Sequence, residues 1–314
     1  MSWRGAVAIQ AQQDRTGATS RVGDIRSRLA LVVLCLIWGF TWPAMRIALN
    51  EIPPLTMRAS TAGIGALTML AICLVKRRSL RVSTGKAWAH VVVASFLNMV
   101  SFSLLTGFAQ MAAETSRVAI LTYTMPIWAM LLAWPILGER PSRVQRIAVV
   151  LCLAGLTILI SPLAAMGAPV GLLLAVASGL SWAAGTVYLK WARIDADPMG
   201  VTSWQITISF FAIGAGLLVF EGRPHFDAAD ATALLAVAFT GVAGNAIAYA
   251  LWFDIVRRLP AVTASLGILS SPVIGVIATI LIIGDRPTVA DILGFALIFA
   301  ASACVVLGPQ APAR

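Results

Sequence analysis

Charge is what this sequence has least of. Of its 314 residues, 11% are Asp, Glu, Lys or Arg, against about 25% in soluble domains. That scarcity excludes an ordinary water-soluble domain. The 13 acidic residues fall in tails, loops or helix ends, so none offers a carboxylate midway along an apolar run. A proton relay through such a carboxylate is therefore disfavoured. Histidine is scarcer still, with His90 at a helix end and His225 in a loop. No HExxH, no GxSxG and no buried aspartate pair occurs. Hydrolysis inside a membrane needs a nucleophile with its base, or metal ligands. An enzyme is excluded on that ground, and neither metal nor cofactor is expected. Cys35, Cys73, Cys152 and Cys304 lie singly in apolar segments, which leaves no disulfide framework and no zinc site.

Hydrophobic length is what the chain does have. It is 59% hydrophobic, in runs of about 20 residues, enough to cross about 30 Å of hydrocarbon. Ten spans can be drawn, at 29–49, 53–75, 87–110, 117–137, 143–161, 170–190, 200–220, 231–253, 262–283 and 289–308. The fold expected is an all-α polytopic membrane protein. Residues 1–28 are polar and are expected as a disordered cytoplasmic tail, with a second tail at 309–314. The apolar stretch from residue 29 is too long for a signal peptide, and Trp38, Trp42 and Pro43 are unlike a cleavage site.

A net charge of +10 invites a nucleic-acid reading. Basic residues also collect on the cytoplasmic loops of membrane proteins, which explains the charge without a nucleic-acid partner. With both termini inside, 18 of the 23 Lys and Arg residues fall on the cytoplasmic side and 5 outside.

One unit occurs twice. An apolar lead to Pro126, an apolar run to Gly138-Glu139-Arg140-Pro141 and a further apolar segment recur around Pro272 and Gly284-Asp285-Arg286-Pro287. Both landmarks shift by 146 positions, the mark of an internal repeat. Trp38 and Trp182, Pro54 and Pro198, and Arg46 and Lys190 align at a shift of 144. Spans 1–5 (29–161) and 6–10 (170–308) are then two copies. Five is odd, so the second copy must be inverted, an arrangement typical of secondary carriers with a midplane site between repeats.

Trp38-Gly39, Pro53-Pro54-Leu55-Thr56 with Arg58, the two Pro-to-Gly-acid-Arg units and Asn245-x-x-x-Tyr249-Ala-Leu-Trp together resemble the EamA family of the drug/metabolite transporter superfamily. The resemblance covers nearly all of 29–308. It implies a bacterial inner-membrane exporter of small metabolites, such as amino acids, with a cavity between inverted five-helix halves. A non-transporting receptor or structural membrane protein is the alternative, and monomer and homodimer both stay open. The partners expected are a small-molecule substrate and the bilayer.

Candidate site residues follow from polarity at depth. Trp38 and Trp182 sit well inside their spans, where an indole N–H needs a partner. Asn98, Asn245, Tyr123, Tyr188 and Tyr249 must likewise face protein or water. These seven are expected to line the cavity. Pro126 and Pro272, matched across the repeats, are expected as hinges, since each removes a backbone hydrogen bond. Arg46, Arg58 and Arg117, with Glu114 nearby, gather by topology at the outer ends of spans and are expected as an outer gate.

Overall fold

The computed structural model describes residues 3–164, 170–256 and 270–307. Its regular structure is entirely helical among the described residues. α1 is Trp3–Leu49, with its apolar part at Arg26–Leu49. It thus runs back through much of the stretch expected as a tail. α2 (Pro54–Val75), α3 (Gly85–Ala112), α4 (Thr115–Leu137), α5 (Arg143–Ala164), α6 (Val170–Ala192), α7 (Pro198–Phe220) and α8 (Ala231–Ile255) follow. α9 (Ser270–Ile283) and α10 (Val289–Leu307) come last among the described residues. Eight helices are long and apolar enough to cross a membrane, and the apolar parts of α9 and α10 are shorter. The first part of the expected ninth span, 262–269, lies outside the described residues.

Local chemistry sets the boundaries. Pro54 and Pro198 open α2 and α7 at positions that have no intrahelical use for an N–H. Asp197 caps α7 by accepting from Met199 N at 2.9 Å, and Asp230 caps α8 by accepting from Ala233 N at 2.8 Å. In the two Gly-acid-Arg-Pro turns, Gly138 (φ 75°) and Gly284 (φ 81°) are left-handed, as a helix C-terminus ending in glycine requires.

The helices pair in a regular way. α5 packs chiefly on α10, and α2 on α7. α1 lies against α8 and α9, while α6 lies against α3 and α4. α2 also packs on α8, and α3 on α7. Moving each helix five places along the chain converts every one of these pairings into itself or into another in the set. The crossing of α5 and α10 is close because a Cβ on Gly155 would meet the Gly294 carbonyl at 3.0 Å.

Among the described residues, two helices widen locally. α3 carries a π-helical segment at Phe96–Ser101, and α8 carries one at Thr240–Ile247. They occupy the same place in helices five apart. Such wide turns leave backbone and side chains in positions an α-helix cannot supply, often at functional sites.

Candidate functional site

Among the described residues, seven helices line a cavity of about 150 Å³ inside the bundle. α1 contributes Trp38, Thr41, Trp42 and Met45, the i, i+3, i+4, i+7 stripe of one helical face. Trp38 donates its Nε1–H to the Gly244 carbonyl at 3.3 Å, so the indole is held by the π segment of α8. Its ring meets Tyr249 edge-on, with centroids 5.8 Å apart. Tyr249 in turn stacks on Trp182 at 6.1 Å and 20°, and Phe102 stands edge-on to Trp182 at 4.8 Å. Trp38, Tyr249 and Trp182 therefore form a continuous aromatic wall drawn from α1, α8 and α6. Each ring covers apolar area, and the geometries are those aromatic quadrupoles favour.

Tyr123 and Asn245 join this wall. The Tyr123 hydroxyl shares a hydrogen bond with the Ser271 hydroxyl at 2.9 Å, and its ring tilts against Trp42 at 6.3 Å. Asn245 donates from Nδ2 to the Thr61 carbonyl at 3.2 Å. Five of the seven expected lining residues are thus brought to one cavity.

Asn98 and Tyr188 are not among its lining residues. Asn98 is buried against α6, where the missing side chain of Gly185 makes room for its amide. A Cβ at Gly185 would sit 2.0 Å from Asn98 Oδ1, a buried oxygen without a hydrogen-bond partner. The Tyr188 hydroxyl is 2.7 Å from His90 Nδ1, and its ring contacts Trp191. It belongs to an aromatic group with His90 and Trp191, both of which line an open pocket of about 810 Å³.

The expected outer gate does not form as a unit. Arg46 donates from Nη1 to the Gln110 carbonyl. Arg117 is bound in a fork to Asp291, Nε to Oδ1 at 2.7 Å and Nη2 to Oδ2 at 2.8 Å, and reaches Glu114 at 3.3 Å. Burial, partly offset by Arg117 and reinforced by Asp285 and Asp291, holds the Glu114 carboxyl above its ordinary range. Asp291 is the principal partner of Arg117.

Arg58 turns inward instead. It is 5% exposed and lines the cavity. Nη1 donates to Met45 Sδ at 2.9 Å and Nη2 to the Thr106 hydroxyl at 3.0 Å, while Nε is buried without a partner. The physical reason is packing between helices. Glu221 accepts from Leu55 N, Thr56 N and the Thr56 hydroxyl at the start of α2. Arg58, one turn further in, faces α3, where a Cβ on Gly107 would lie 2.9 Å from its Nε.

α4 bends where Pro126 was expected to act. Its helix breaks at Tyr123 and Thr124 and resumes at Met125. Pro126 has no N–H for the Thr122 carbonyl, which leaves the break open. Pro272 is buried near the start of α9, and the residues preceding Ser270 lie outside the described ones.

Comparison with known proteins assigns this architecture. The EamA-like transporter family matches residues 26–161 and, a second time, 169–307. The chain belongs to that family. This EamA-like transporter is a multi-helix membrane protein that moves solutes and is not an enzyme. It is 23% identical to the uncharacterized transporter YoaV of Bacillus subtilis, over 87% of this chain and 94% of the relative. It is 25% identical to the uncharacterized inner membrane transporter YedA of Escherichia coli, over 89% and 90%. A probable amino-acid metabolite efflux pump of Salmonella typhimurium is 24% identical over 87% and 91%. A crystal structure of a protein 22% identical superposes with a TM-score of 0.62, covering 90% of the transporter and 97% of its own chain. That likeness concerns the fold alone.

Proposed function

We propose that this EamA-like transporter is a secondary carrier exporting a small metabolite, an amino acid or related compound, across the bacterial inner membrane. Ten spans form two inverted five-span halves, with both termini cytoplasmic. The aromatic cavity between the halves is the midplane site, opened alternately to either side. The observation that carries this reading is the cavity itself. Trp38 of α1 and Trp182 of α6, which align across the repeats, meet on Tyr249.

Further support comes from helix pairing that is preserved under a shift of five, as an axis relating two halves requires. The paired π segments and the double family match point the same way. The excess of basic residues on one set of loops favours cytoplasmic termini. The name of the Salmonella relative supports amino-acid metabolites as the substrate class. Pro126 and Pro272 serve as paired hinges, with the α4 break as the observation behind the first.

Counterflow into proteoliposomes across a metabolite panel, with no pH gradient imposed, tests the carrier. Exchange needs binding and alternating access but no driving force. Saturable accumulation of at least one solute is expected. Folded, inserted protein that exchanges nothing, even with imposed ion gradients, would overturn the reading.

A further inference from the structure

Arg58 is the one charged residue among the described residues lining the cavity. Among the described residues it has no ion-pair partner, and its acceptors are one hydroxyl and one thioether. A guanidinium taken out of water normally finds an ion pair and enough acceptors for its five N–H groups. Here Nε has none. Elsewhere the same chain pairs two half-buried cations with carboxylates, Arg117 with Asp291 and Arg78 with Asp197. Arg58 is thus a buried charge whose counter-ion none of the described residues supplies. An ionisable group at membrane depth is costly and is retained for a role with a solute or ion.

We propose that Arg58 binds the carboxylate of the transported solute, a small monocarboxylate with an aromatic or other apolar body. This rests on the cavity being the transport site. The planar fork of a guanidinium matches a carboxylate. Ser103 and Ser209 add hydroxyls to the lining. With one cation in the lining, a dianion would keep an unbalanced charge at depth. No Asp or Glu lines the cavity among the described residues, so a solute carrying only an amine finds no partner. Trp38, Tyr249, Trp182 and Phe102 give the rest of the solute flat apolar walls. A cavity of this size elsewhere accommodates a benzene ring. The carboxylate is the group that is read, and an amine beside it is not required.

The test is binding to purified, full-length protein, read by the fluorescence of the cavity tryptophans. Three probes share one ring: phenylacetate, its neutral amide, and phenethylamine. Phenylacetate is expected to bind roughly 10- to 100-fold more tightly than the amide, the range of a charge-assisted hydrogen bond. The amine is expected not to compete. Arg58→Gln should abolish the preference for acid over amide, and Arg58→Lys should keep part of it. The comparison among probes needs only wild-type protein, so a poorly folding variant does not remove the test. Equal binding of acid and amide, tighter binding of the amine, or no binding of any probe would each overturn the proposal. Counterflow separates this from the carrier reading. Exchange of a neutral or cationic solute with no phenylacetate binding removes the anion subsite and keeps the carrier. Phenylacetate binding without exchange of any solute does the reverse.

Discussion

Arg58 carries a cost that stability measurements can read. Replacing it with Met keeps similar length and removes a charge that finds no ion pair among the described residues. Arg58→Met should raise the thermal midpoint in detergent, by the equivalent of about 1–3 kcal/mol, the penalty of an unsatisfied buried polar group. A lower midpoint would mean that Met45 and Thr106 satisfy the guanidinium better than their number suggests. The two aromatic anchors act in the opposite sense. Trp38→Ala and Trp182→Ala should each cut counterflow about tenfold or more while leaving membrane abundance unchanged, because each removes a wall of the cavity. Flux unchanged in either variant would reduce that residue to packing.

These residues were unequally legible. Trp38, Trp182, Tyr249, Tyr123 and Asn245 could be placed from sequence because a polar group deep in an apolar span must face inward. Trp42 could have been found as well, since it follows Trp38 by four residues on the same helical face. Arg58 was misplaced. Being four residues past the α2 start, it reads as an end residue. What turns it inward is space at Gly107, far away in sequence. The expected cluster with Arg46 and Arg117 failed for a related reason, because Arg117's partner Asp291 is 174 residues away.

At the scale of elements, that Arg117–Asp291 pair ties α4 to α10. Side-chain exposures of 17% and 4% place it inside the packing, where losing one partner strands a charge. Arg117→Leu or Asp291→Leu alone should cost about 3–5 kcal/mol, and the double substitution should recover most of it. Additive losses in a thermal double-mutant cycle would show that the pair is not coupled. Helix boundaries were largely legible, since Pro54, Pro198, Gly138 and Gly284 punctuate the chain by backbone chemistry alone. The π segments were not. No local pattern encodes their surroundings, such as Asn98 of the first lying in the space left by Gly185 of α6.

At the scale of the molecule, the two family matches leave 162–168 as a connector. Cutting the chain there and producing both segments in one cell should restore counterflow, because most inter-helix packing joins one half to the other. Either segment alone should fail to accumulate. If one half alone exchanged solute, the cavity between halves could not be the site.

The solitary cation also decides how such a carrier responds to voltage. On the carrier reading, a bound monoanion cancels Arg58, so the loaded protein reorients with its site electrically silent. The empty protein returns with the positive charge uncovered. A full elementary charge crossing the membrane responds by about 2.3 kcal/mol per 100 mV. An interior-negative potential should therefore speed net export by hastening the empty return, and leave one-for-one exchange untouched. Flux measured in proteoliposomes with and without a potassium diffusion potential reads this difference. Arg58 would then be part of the carrier's electrical machinery as well as its recognition site.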